Sequence, residues 1–235
     1  MNRKVLRVAR FIHKWAGLLL AIQLLFWILG GLVMSAIPLE KVHGKHLAAL
    51  HLANPFKLHE YTYSLDALVK NTPALVHAIH YRSILARPVY LFDTSEGQRA
   101  YDAQTGEYLT HFDNDTIGHI AQQHYLGSGV IKTVTLLEQS PQEVGKANEP
   151  IWSVEFTDAW TTTLYVSPST AQVVKVRSDI WRVFDFFWML HIMDYDEREN
   201  INNPLLIGFS ASALLFTITG IVLLFHSFRL RRRVK

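Results

Sequence analysis

Apolar positions along this chain fall into two kinds of pattern. Two runs are apolar on every side: residues 15–37 (WAGLLLAIQLLFWILGGLVMSAI) hold no charge over 23 positions, and residues 204–228 (PLLIGFSASALLFTITGIVLLFHSF) none over 25. At 1.5 Å per residue they extend about 34 and 37 Å, enough to cross a ~30 Å hydrocarbon core with some tilt. Pro204 suits the first turn of a helix, where its missing N–H costs nothing. The first run is too long for the apolar core of a cleaved signal peptide and lacks a good A-x-A site, so it reads as an uncleaved signal anchor.

Between the runs the pattern changes to short alternating stretches. Ser64 is placed to cap a helix over Leu65–Lys70, and strand-like stretches follow at Val76–Tyr81, Pro88–Asp93, Arg99–Tyr101 and Tyr108–His111. A second helix is expected over Thr116–Tyr125, opening at Asp115. Further strands are expected at Ile131–Leu137, Ile151–Phe156, Thr162–Val166 and Val173–Val176. Helix followed by strands thus occurs twice. YDAQTGEYL at 101–109 matches VSPSTAQVV at 166–174 at a constant offset of 65, pairing Thr105 with Thr170 and Gly106 with Ala171. Such an offset suggests two copies of one small unit, with two unrelated hairpins as the alternative. Residues 181–195 (WRVFDFFWMLHIMDY) place Trp181, Phe184, Trp188, His191 and Tyr195 at helical spacing, as in a helix lying in a membrane interface.

Charge decides the orientation. The net charge is +3, from 23 Lys and Arg against 20 Asp and Glu. Five of the basic residues are Arg3, Lys4, Arg7, Arg10 and Lys14, and five more are Arg229, Arg231, Arg232, Arg233 and Lys235. Basic residues abut the outer end of each apolar run, which puts both termini in the cytoplasm and residues 38–203 outside. In a Gram-negative cell that is an inner-membrane protein with a periplasmic domain. A nucleic-acid binder spreads basic charge over its folded domain, so that class is excluded. There is no cysteine, which excludes disulfide scaffolds, zinc–thiolate sites and Cys-ligated clusters. Nor is there a P-loop, G-x-G-x-x-G, G-x-S-x-G or H-E-x-x-H, and no catalytic residue is singled out.

The candidate chemistry rests on histidines. His13 lies 24 residues before Ile37 and His226 lies 22 after Pro204, about 36 and 33 Å from the outer ends of their runs. Eighteen residues make five helical turns, so His13 shares a face with Gly31, with Gly17 one turn away. His226 shares one with Gly208, near Ser212 and Thr219. Two imidazoles at one depth on facing helices, among small residues, suit the iron of a six-coordinate b-type haem. They equally suit interfacial side chains wetted by headgroups. His191 is a third candidate, with His43 or His46 as possible partners or a plain interfacial role. His77, His80, His111, His119 and His124 read as structural or solvated, and Asp194, Asp196, Glu197 and Glu199 as a charged loop before the second run, with a hard-cation site as the alternative.

RFIHKWAGL at 10–18 resembles the R-x-x-H-[RK]-W-x-G-L opening of the PepSY-associated transmembrane helix family. WMLHIMDY at 188–195 is similar to a Leu-His stretch in that family, and YDAQTGEYL at 101–109 resembles the Y-D-x-x-T-G-x-x-L ending of a PepSY module. The resemblance covers essentially the whole chain. It implies an inner-membrane protein related to ferric-siderophore reductases, whose b-type haems are held by membrane histidines, and strengthens His13, His226 and His191 as axial ligands. Those reductases typically have four spans where this chain has two, so a homodimer or partner membrane subunit is implied, with a ferric chelate or periplasmic redox protein as acceptor. PepSY modules also imply a role without redox chemistry, as a membrane-anchored binding or regulatory module or an accessory subunit.

The expected fold class is therefore membrane α plus α+β: two transmembrane helices flanking a periplasmic domain of two PepSY-like α/β repeats. The expected divisions are a cytoplasmic basic N-terminus 1–14, transmembrane helix 15–37, linker 38–62, repeats 63–112 and 113–178, an interfacial amphipathic helix 181–195, transmembrane helix 204–228 and a basic tail 229–235.

Overall fold

The computed structural model describes residues 3–52, 57–145 and 149–231. The two ends of the chain form one compact unit (residues to 38 and from 183), and residues 39–182 form another. The expected basic tail 229–235 and the linker residues 53–56 fall wholly or partly outside the described positions.

In the first unit, helix α1 (Arg3–Ala36) and helix α6 (Pro204–Arg231) are each long and apolar enough to cross a membrane. The basic N-terminal segment does not stand apart: α1 runs through it unbroken. Arg, Lys, Val and Leu between positions 3 and 14 include no helix breaker. α6 opens as expected on Pro204, and the Asn203 side chain caps it by accepting from the Leu206 N–H at 2.8 Å. The two helices pack together. Leu20 is buried in the seam, and a Cβ at Gly17 would come within 2.7 Å of the Phe216 ring. Leu18, Leu19, Ile22, Leu25, Leu214, Ile218 and Leu224 are exposed, so the pair turns apolar side chains outward as well as inward.

The second unit is α/β. After a short helix α2 (Leu39–Val42) and a 3₁₀ turn at Leu58–Glu60 comes helix α3 (Leu65–Asn71), capped by Ser64 as its sequence position predicts. Strands β1 (Val76–Ile84), β2 (Arg87–Thr94) and β3 (Gly97–Asp102) then form an antiparallel meander. Helix α4 (Asn114–His124) leads into a second meander of β4 (Ile131–Leu137), β5 (Ile151–Phe156), β6 (Thr163–Val166) and β7 (Val173–Arg177). α4 starts one residue past Asp113, not at Asp115. The Asp113 carboxylate reaches the Thr116 N–H at 2.8 Å, which leaves Asp115 in the first turn, where its charge suits the helix dipole. Helix α5 (Asp179–Ile192) begins in this unit and continues into the first.

The two meanders repeat one another in hydrogen-bonding detail. The Asp102 N–H donates to Glu107 O and the Gly106 N–H to Asp102 O, both at 2.9 Å. Sixty-five residues later Ser167 donates to Gln172 and Ala171 to Ser167, again at 2.9 Å. Gly106 and Ala171 both adopt positive φ, +76° and +54°. Tyr101 bridges Tyr108 as Val166 pairs Val173, so the expected strand at 108–111 shrinks to a single bridge in the first copy and becomes β7 in the second.

Each copy packs its helix on its sheet. Leu68 of α3 meets Tyr90, Phe92 and Tyr101. Ile117, Ile120 and Ala121 of α4 meet Val154, Phe156, Leu164 and Val166. Tyr125 stacks on Phe156 with centroids 3.9 Å apart, and its hydroxyl donates to Asp158 at 2.8 Å. Burial pushes the Asp158 carboxyl up, but donors from Thr162, Tyr125 and the Trp160 N–H outweigh it and hold the carboxyl below its ordinary value. A depressed folded value means this stabilisation is present at neutral pH and is lost as pH falls through the carboxylate range. Asp158→Asn is expected to flatten the acid limb of the pH–stability profile, measured by urea unfolding of the full chain between pH 3 and 7.

The β1–β2 hairpin turns through Leu85 and Ala86, both at positive φ (+49° and +65°). A two-residue hairpin loop needs that conformation, and glycine supplies it without the roughly 1–2 kcal/mol a Cβ costs there. Ala86→Gly is expected to raise stability by about 1 kcal/mol, read as a shift in the urea midpoint at unchanged slope. A lowered midpoint would show that the turn is not strained.

Candidate functional site

The helical unit brings polar groups into an otherwise apolar bundle. The last three carbonyls of α5 are each met by a side chain. Gln23 Nε2 donates to Leu190 O at 3.1 Å, Trp27 Nε1 to His191 O at 2.6 Å, and Asn203 Nδ2 to Ile192 O at 2.9 Å. Trp27 also stacks on the His191 ring (5.4 Å) and meets Phe209 of α6 edge-on (5.1 Å). The expected interfacial helix therefore ends against α1, nine residues short of Ala36 and about 14 Å along the helix. Gly30, not Gly31, is the close-approach position. A Cβ there would lie 3.3 Å from Phe187 O and 3.7 Å from His191 Nδ1, whereas Gly31 and Gly208 face open space.

This docking sets the register of α6. Trp27 meets Phe209 and Gly17 meets Phe216, so α6 begins roughly five residues deeper than α1 ends. His13 is consequently level with Thr219. Its Nδ1 lies 3.1 Å from Phe216 O and 3.2 Å from Thr219 Oγ1, and its ring stacks on Phe216 at 4.2 Å. A Cβ at Gly220 would be 2.9 Å from the ring, so α6 itself covers this edge of the imidazole. His226 is seven residues beyond Thr219, about 10 Å further along the axis. Within one chain the structure does not bring His13 and His226 to one level. The expected depths took Ile37 and Pro204 as level, which the α5 docking prevents.

His191 stands differently. Its ring is half-buried, and its buried Nδ1 has no hydrogen-bond partner among the described residues. His43 and His46, its suggested partners, are exposed residues of the α/β unit. His80 pairs with Asp93 at 2.9 Å, and no group of three metal-ligating side chains occurs among the described residues. Asp194 accepts from the backbone N–H groups of Glu197, Glu199 and Asn200, the behaviour of an ordered loop. Nearby Arg198 pairs with Asp185.

The α/β unit holds a cleft of about 430 Å³ between its two copies. One wall is β1 with the Leu85 turn, the other the end of α4 and the 170–173 turn, with residues 50–52 alongside. His51 and His124 both line it. The His124 Nδ1 is hydrogen-bonded to Ala49 O. Burial lowers the His124 pKa, the Ala49 carbonyl opposes that shift, and the His51 charge adds to it. His51, Arg82, His124 and Ala171 share no local motif, so the order of residues does not mark this cleft.

Compared with family models, curated proteins and solved structures, the chain has no match.

Removing the donor to His191 O while keeping an aromatic ring isolates the clamp at the end of α5. Trp27→Phe is expected to destabilise the helical unit by about 1–3 kcal/mol, the cost of an unsatisfied buried carbonyl. The measurement is denaturation of the full chain in mixed micelles. Leu19→Phe, on an exposed apolar position, serves as the control and is expected to change little.

Proposed function

We propose that the protein is a membrane-anchored binding module. α1 and α6 cross a bacterial inner membrane with both termini in the cytoplasm, and the two-repeat α/β unit, of the PepSY type, binds its ligand outside. The observation that carries this reading is the open cleft between the two copies, within the range of ~300–1,000 Å³ common for ligand sites. The anchoring part is supported by the apolar outer faces of α1 and α6 and by the basic residues at the outer ends of both runs.

A second reading, electron transfer by a b-type haem in a ferric-chelate reductase system, is favoured by His191. A buried imidazole nitrogen with no hydrogen-bond partner among the described residues, beside Gly30, is a group on which an iron ligand role is chemically reasonable. Such a haem would supply one-electron chemistry. One haem shared by His13 and His226 of the same chain does not fit the packing of His13 on Phe216 and Gly220. That pair would act only across two chains.

A reporter fused to the C-terminus is expected to behave as cytoplasmic, and one inserted at Gly97, an open turn, as periplasmic. The opposite result at the C-terminus ends the two-span reading. Chain purified from membranes is expected to show no Soret band. A b-type spectrum that disappears in His191→Ala would establish the second reading instead.

A further inference from the structure

The unit 39–182 carries 15 Asp and Glu against 12 Lys and Arg, yet among the described residues no carboxylate lines its cleft. The charged or protonatable groups there are Arg82, His51 and His124, with the weakly acidic Tyr81. Arg82 is exposed and has no carboxylate within 4 Å among the described residues, although its charge adds to the His80 hydrogen bond in holding the Asp93 carboxyl below its ordinary value. The carboxylate near it, Asp93, already accepts from His80 at 2.9 Å and from Gln98 at 2.8 Å. Below this rim the floor is apolar, with Leu91, Ile120 and Val173 all buried. The ring nitrogen of His124 not held by Ala49 is Nε2.

We propose that the cleft binds a small organic anion, a carboxylate attached to an apolar body, with Arg82 meeting the carboxylate and the floor taking the apolar part. This inference rests on the binding-module reading and gives it a ligand class. The reason is complementarity of charge. In an acidic domain a cleft with no carboxylate among its lining residues, rimmed by a guanidinium whose nearest charge partner Asp93 lies outside that lining, attracts anions and repels cations. A guanidinium also gives a carboxylate two parallel hydrogen bonds, which an amide or an ammonium cannot accept. The volume suits a molecule of drug size rather than a polypeptide segment or a lipid with two chains.

The test uses the full chain in zwitterionic nanodiscs, with empty nanodiscs as the blank, and three soluble probes: 2-naphthoate, 2-naphthamide and 2-naphthylmethylammonium. Binding is read by calorimetry and by saturation-transfer NMR. Naphthoate is expected to bind roughly tenfold or more tightly than the amide, as for a hydrogen bond to a charged group, and the ammonium least. Arg82→Gln is expected to reduce naphthoate to the amide's level, with Arg82→Lys between. Gln123→Trp, at the exposed rim, is expected to block both. Equal binding of all three probes, or a naphthoate preference that survives Arg82→Gln, overturns the anion and leaves the module. The same holds if naphthoate binds no more than it does to empty nanodiscs while the amide still binds in a way that Gln123→Trp blocks. No binding of any probe overturns both.

Discussion

A helix that ends beside apolar neighbours must find donors for its last carbonyl groups, because no water is at hand to supply them. α5 ends this way, and Gln23, Trp27 and Asn203 answer Leu190, His191 and Ile192 one for one. Most of the helical unit follows from that requirement. At Gly30 α5 comes so near that a Cβ would lie 3.3 Å from Phe187 O, a tight fit that a glycine avoids. Asn203 closes α5 with its amide nitrogen and opens α6 with its amide oxygen, so the start of α6 is tied to the level of Trp27. The register of α1 on α6, and with it the surroundings of His13, is a consequence.

The α/β unit obeys a different rule. Each meander has two faces, and one helix covers only one of them. In the first copy α3 covers the face bearing Tyr90 and Phe92, while the opposite face bearing Val89 and Leu91 is closed with Ile84 and Phe112. Ile84, Leu85 and Phe112 also pack against the core of the second copy. The two copies thus share a seam, and the cleft is the part of that seam left unfilled.

What the sequence made legible divides along the same line. The apolar runs, the Ser64 cap and the strands at Ile131–Leu137 and Ile151–Phe156 depend on local chemistry and appear where residue order puts them. The offset of 65 was also readable, since the turn that it marks repeats its own hydrogen bonds. The level of His226 relative to His13 was not. It depends on three side-chain donors reaching carbonyls up to 167 residues away in sequence, and no periodicity encodes that. The cleft was hidden for a related reason: its walls come from residues 50–52, 81–91, 120–124 and 170–173, assembled only when the copies dock.

The helical unit is built from the two ends of the chain, and this has a bearing on biogenesis. With 167 residues between Ala36 and Pro204, and synthesis at about 5–20 residues per second, α1 precedes α6 by roughly 10–30 s. On the two-span reading α1 first sits alone in the lipid, with Gln23, Trp27 and His13 lacking the acceptors they use in the finished protein. During that interval its polar stripe is open to any passing helix with a spare carbonyl. On that reading α5 answers Gln23 and Trp27 when it docks and α6 answers His13 when it inserts, so α1 is withdrawn from competition with other helices only when both are in place.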